Sequence, residues 1–142
     1  MWLIDGSNVL GAIGADLTSA DAKRELARLV ASFARARRTR VTCFFDGPEP
    51  PSFARHLGAA TIVFCGSVSA DERIVEQVGT VRDATVVTAD RALATRVAGR
   101  RVKVVSSSDF VRELERAGQG GEGSRADDWA MWLADPKNRQ KF

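Results

Sequence analysis

At 142 residues, with 44% apolar and 27% charged side chains, the chain has the size and balance of one globular domain with a single core. Its net charge of +3 permits an anionic partner such as nucleic acid without demanding one. No apolar run approaches the roughly 18 residues of a membrane span, and two cysteines with one histidine are too few for a Cys/His zinc cluster. The opening residues do not read as a secretory leader, so the expected compartment is the cytoplasm. Cys43 and Cys65 both lie in apolar runs and read as unbridged core residues.

The chain opens Trp2-Leu3-Ile4-Asp5-Gly6-Ser7-Asn8. Three apolar residues run into a carboxylate and then a break, which predicts a short buried strand whose C-terminal end presents Asp5 to a crevice. A loop with two glycines is expected over residues 9–17. Thr18 or Ser19 is placed to cap a helix from residue 20 to about residue 38, with Asp21 in its first turn. Ala22, Leu26, Leu29, Val30 and Phe33 fall on one face of that helix. It ends among Arg35, Arg37, Arg38 and Arg40, cations that complement a helix C-terminus or contact a phosphate backbone.

Residues 41–45 predict a second strand, ending in Asp46-Gly47-Pro48. A Pro-rich turn follows, then a short helical piece over residues 52–57 that contains His56, expected to be solvated. Residues 61–65 form a third strand. Ser69, with Glu72 three residues on, has the spacing of a capping box for a helix to about Val78. The β-branched run at 84–88 is a fourth strand, and Thr88-Ala89-Asp90 leads into a helix to about Ala98, with Gly99 placed to stop it. A fifth strand covers 101–105. Ser107 or Ser108 then caps a last helix to about Arg116, with Asp109 in its first turn. Strands alternating with helices imply a three-layer α/β/α sandwich around a five-stranded parallel sheet.

Beyond Ala117 the composition changes. Gly118, Gly120, Gly121 and Gly123 mark residues 118–125 as a linker. Residues 126–134, with Trp129, Met131, Trp132 and Leu133, suit a short amphipathic helix, and residues 136–142 are basic. The expected organisation is a folded domain over 1–117 and a linker with a Trp-containing tail over 118–142. That tail would dock on the domain, on a second copy in a homo-oligomer, or on another macromolecule.

The functional reading comes from the acids. Asp5 closes the first strand and Asp46 the second; Asp71 opens the helix after the third strand and Asp90 the helix after the fourth. All four belong to the C-terminal edge of the sheet, where ligands of such folds bind. Carboxylates crowded together repel and raise each other's pKa, and a divalent cation relieves that repulsion. Mg²⁺ takes oxygen ligands and is commonly held by a few carboxylates plus substrate phosphate, an arrangement suited to metal-assisted phosphodiester hydrolysis. The plain alternative is that Asp71, Asp90 and Asp109 are helix-start residues, where Asp is favoured anyway. Asp109 is assigned that role. Asn8 and Thr88 have side chains suited to supporting a carboxylate or metal-bound water, and turn or strand roles as their alternatives.

Leu3-Ile4-Asp5-Gly6-Ser7-Asn8, Phe44-Phe45-Asp46-Gly47, Ser69-Ala70-Asp71 and Val86-Val87-Thr88-Ala89-Asp90 occur in that order. In them the chain resembles the NYN domain, YacP-like branch, within the PIN-like nuclease fold. The resemblance implies a metal-dependent endoribonuclease whose acidic pocket binds Mg²⁺ or Mn²⁺. Asp5, Asp46, Asp71 and Asp90 would be its catalytic and metal-holding acids, supported by Asn8 and Thr88, with Ser7 and Glu72 as further candidates. The family's Ile-Glu pair on the helix after the third motif is displaced here, since Ile74 is followed by Val75 and then Glu76. Arg73, Arg91 and the group Arg37, Arg38 and Arg40 are candidates for steering RNA. Two other readings stand beside it: a non-catalytic RNA- or ribosome-binding module on the same fold, and a phosphatase-like enzyme with the strand-end Asp as nucleophile. The last usually wants a second acid two residues after the first, where this chain has Ser7.

Overall fold

The structure, a computed structural model, describes residues 1–99 and 101–119; the predicted linker and tail lie almost wholly outside them. Its elements are β1 (Trp2–Asp5), α1 (Gly6–Ala12), α2 (Ala20–Arg37), β2 (Val41–Phe45), β3 (His56–Leu57), β4 (Ala60–Phe64), α3 (Ala70–Val78), β5 (Thr85–Val87), α4 (Arg91–Val97), β6 (Lys103–Val105) and α5 (Ser107–Gln119). The sheet order is β3-β4-β2-β1-β5-β6, with every pair parallel except β3 and β4. From β1 the chain builds outward first through β2 and β4, then on the other side through β5 and β6. The order therefore reverses beside β1, and a crevice opens beyond the C-terminal ends there.

Alternation along the strands divides the core in two. Ile4, Cys43, Phe45 and Val87 face α1, α2 and α5, where Leu26, Val30, Phe33 and Phe110 are buried. Leu3, Phe44 and Val86 face α3 and α4, where Ile74, Val78, Leu93 and Val97 are buried. Cys43 and Cys65 are buried free thiols. Among the described residues no helix is long and apolar enough to cross a membrane.

The three-layer sandwich and its five parallel strands are as expected, and three local features differ. The stretch expected as a loop after β1 begins with a helix, α1, whose Val9 and Leu10 are fully buried. Residues 52–57 form no helix; His56–Leu57 instead pair antiparallel with β4 across Gly58, whose φ of +61° suits a tight turn, adding a sixth strand. Of the two residues expected to cap α2, Ser19 does so, accepting from Ala22 N at 3.1 Å, while Thr18 is bound to Asp16. At α5 it is Ser106 Oγ that accepts from Asp109 N, at 3.1 Å, and the helix runs through Gln119, past the glycine where the linker was placed.

Candidate active site

Asp5 ends β1 and is 4% exposed. It is also the N-cap of α1: Asn8 N donates to Oδ1 at 3.3 Å, while Thr88 Oγ1 donates to Oδ2 at 3.4 Å. Gly6 makes this geometry possible. A Cβ there would lie 2.7 Å from Phe45 Cε1, 2.8 Å from Cys43 Sγ and 2.9 Å from Phe44 O, so only glycine lets α1 start against β2.

Asp46 follows β2 directly. Its backbone N donates to Ser7 Oγ at 3.1 Å, and its Oδ1 accepts from Ala70 N at 2.8 Å, tying the end of β2 to the start of α3. Asp71, in the first turn of α3, lines the same cleft as Asp5 and Asp90. Asp90 caps α4, its Oδ1 accepting from Ala92 N at 2.8 Å and Leu93 N at 3.4 Å. The buried Thr88 hydroxyl accepts from Asp90 N at 3.0 Å. Asn8 Oδ1 accepts from Ala89 N at 2.8 Å and from the buried Ser107 Oγ at 2.5 Å, which ties α1, the β5–α4 turn and α5 together.

Asp5, Asp46, Asp71 and Asp90 converge beside Ser7 and Asn8 in the lining of one open cleft of about 460 Å³. Burial pushes the Asp5 carboxyl up to about 7; the hydrogen bond from Asn8 opposes this, and the charges of Asp71 and Asp46 add to it. Asp71 is also raised, first by burial and then by Asp90. Among the described residues no three acidic side chains stand at ready metal-holding geometry. The donor set nevertheless fits a hard divalent cation: it is all carboxylate oxygen, it carries unrelieved repulsion, and Asp46 commits only Oδ1 to the backbone.

The remaining candidates separate. Glu72 does not line the cleft. Its backbone N is bound to Ser69 Oγ as the capping box predicts, but its carboxylate is held by Arg96 at 2.6 and 3.1 Å, which lowers its pKa. Arg91 is the first residue of α4, and Arg73 sits on α3 with Nη1 3.4 Å from Glu76. The group Arg37, Arg38 and Arg40 lies at the other edge of the sheet. Arg37 pairs with Glu113 at 2.6 Å and stacks over Trp2 and Phe33, Arg38 is the left-handed C-cap of α2, and Arg40 precedes β2. They cannot act at the acidic cleft, because β2 stands between Arg40 and Asp46. Ser107 is a cleft-supporting residue that the sequence offered only as a helix cap; its hydroxyl partner, Asn8, lies 99 residues away.

The fold is shared with solved structures. A tryptophan-to-leucine mutant of Rae1 (YacP) from Bacillus subtilis is similar with a TM-score of 0.70 at 20% identity, covering 99% of this chain and 92% of that one. A second structure of Rae1 (YacP) from Bacillus subtilis gives a TM-score of 0.70 at 21% identity, covering 96% and 83%. At these identities the likeness is one of fold. No match is found among curated proteins. Residues 2–130 match the YacP-like NYN domain, nearly the whole chain. The chain belongs to the YacP-like NYN domain family.

Proposed function

We propose that the protein is a metal-dependent endoribonuclease that hydrolyses RNA phosphodiester bonds at the acidic cleft. The observation that carries this reading is the convergence of four aspartates, from four separate segments, on one open concavity. Asp5, Asp46, Asp71 and Asp90 would hold Mg²⁺ or Mn²⁺, which supplies Lewis acidity toward the phosphoryl group and lowers the pKa of water. Thr88 and Asn8 hold the acids in register, Thr88 by bridging Asp5 to the Asp90 backbone and Asn8 by fixing the turn at Ala89. Ser7 does the same for the backbone of Asp46. Arg91, beside Asp90, and Arg73, on α3, supply positive charge for the RNA backbone.

The test is cleavage of generic single-stranded RNA with Mg²⁺ or Mn²⁺. The parent cuts internally, and Asp5→Asn lowers the rate by ~10²-fold or more, the scale of losing one charge-stabilising group. Undiminished cleavage by the variant, or none by the parent with either metal, counts against it. One observation favours a non-catalytic RNA- or ribosome-binding module instead: Asp5, Asp46 and Asp90 each accept from helix-start N–H groups, a purely structural use. That reading predicts equal RNA affinity in EDTA and in metal, and no cut product.

A further inference from the structure

The acidic cleft is not the largest concavity on the molecule. One of about 600 Å³ lies between the C-terminal half of α2 and the β3–β4 turn. It continues into another of about 370 Å³, the two sharing Ala31, Arg35 and Leu57. Arg24, Arg28, Arg35, Arg38 and Arg40 line this combined groove, and among the described residues no carboxylate does. From Arg24 to Arg38 the row extends about 21 Å at 1.5 Å per helical residue. Arg24 is paired with Asp21 and Arg28 with Glu25, whereas Arg35, Arg38 and Arg40 stand exposed at the far end.

The floor is apolar, and one aromatic ring belongs to it. Phe53 is half-buried at the Arg24 end, with that guanidinium 5.6 Å from the ring centroid. Cations along an apolar floor with an aromatic platform are what single-stranded nucleic acid requires: phosphates meet guanidinium groups and a base stacks on the ring. Arg40 directly precedes β2 and Asp46 directly follows it, so one strand length, about 20 Å, separates this groove from the acids.

We propose that the arginine-lined groove along α2 is a second RNA-binding surface, holding the phosphate backbone of a single-stranded part of the substrate some 20 Å from the acidic cleft. It rests on the reading above only in taking RNA as the ligand. Contact is through phosphate, so it carries no sequence preference, and a dinucleotide seated among the acids does not reach it.

Binding of a labelled, unstructured RNA of about 30 nucleotides to the full chain in EDTA, followed by fluorescence anisotropy over roughly 50 to 300 mM salt, tests this. The variant combines Arg35→Ala, Arg38→Gly and Arg40→Ala, glycine being chosen because Arg38 has a φ of +52°. It should bind at least about tenfold more weakly, and the slope of log affinity against log salt should shrink by about 2, at ~0.7 for each phosphate no longer neutralised. A second variant, Arg35→Lys with Arg40→Lys, keeps the charge and should keep most of the slope. Circular dichroism checks that both fold. Parent-like affinity and slope in the first variant, or a slope reduced as fully in the lysine variant, overturn the proposal. A parent that binds through this groove yet never cuts with Mn²⁺ removes the nuclease reading and leaves this one standing.

Discussion

The hydroxyl of Thr88 donates to Asp5 Oδ2 at 3.4 Å and accepts from the backbone N of Asp90 at 3.0 Å, so one buried side chain couples the acid that ends β1 to the acid that caps α4. The contact to Asp5 stabilises its ionised form and opposes the upward push of burial. Thr88→Val keeps the shape of the side chain and removes both bonds. The Asp5 pKa should then rise further above 7, and the acidic limb of the pH–rate profile should move to higher pH. A loss of about 1 kcal/mol, roughly fivefold in rate near neutrality, is the scale of one such bond. A profile unmoved on the pH axis would mean that Thr88 serves the fold alone.

Asp5 also makes stability depend on pH, with a definite sign. Its folded pKa of about 7 lies above the ordinary 3.8, so between those values the folded chain holds a proton that the unfolded chain has lost. Stability is therefore fullest below about pH 4 on this group's account and falls as pH rises toward 7. The full difference is on the order of 4 kcal/mol at pH 8 without a cation. Asp5→Asn should melt higher than the parent at pH 8 and close to it at pH 4.5. Mn²⁺ should raise the parent's Tm at pH 8 and do so much less in the variant. A thermal melt series at several pH values reads all of this, and coincident curves for the two proteins would contradict it.

Gly6 is required by space. A Cβ at that position meets the Phe44 carbonyl oxygen at 2.9 Å, and backbone does not yield as a flexible side-chain end does. Gly6→Ala should cost about 1–3 kcal/mol by overpacking, lowering Tm by roughly 5–15 °C for a domain of this size. Cleavage should fall as well, since α1 carries both the cap of Asp5 and Asn8.

Much of this was legible in the sequence. β2 and α2 were bounded almost to the residue, because a continuous apolar run and a Ser19 cap followed by a 3.6-residue period are local signals. The four aspartates were legible for the same reason, each being read from its own strand end or helix start. α1 was not: Gly6, Ser7 and Asn8 look like a turn in isolation, and the packing that demands glycine comes from β2, some forty residues away. Glu72 shows the limit within one residue. Its backbone role followed from the Ser69 spacing, whereas its side-chain partner, Arg96, is 24 residues on and on another helix. The arginines after α2 likewise looked available to any site until β2 was seen to set them at the opposite edge.

That placement of Glu72 separates it from the acid cluster experimentally. Glu72→Gln removes an exposed pair with Arg96, and such pairs contribute little to stability. RNA cleavage should stay close to the parent's at every metal concentration, while Asp71→Asn, one residue earlier, should lose most of it. Parallel losses in the two variants, measured in the same assay, would return Glu72 to the site.

The central claim is that Asp5, Asp46, Asp71 and Asp90 share a cation. Anomalous diffraction from a crystal soaked in Mn²⁺ at pH 8 tests it most directly. The account predicts a peak within coordinating distance, about 2.0–2.6 Å, of oxygens from at least two of the four. A well-ordered cleft with no peak, or Mn²⁺ bound only elsewhere on the molecule, would contradict it.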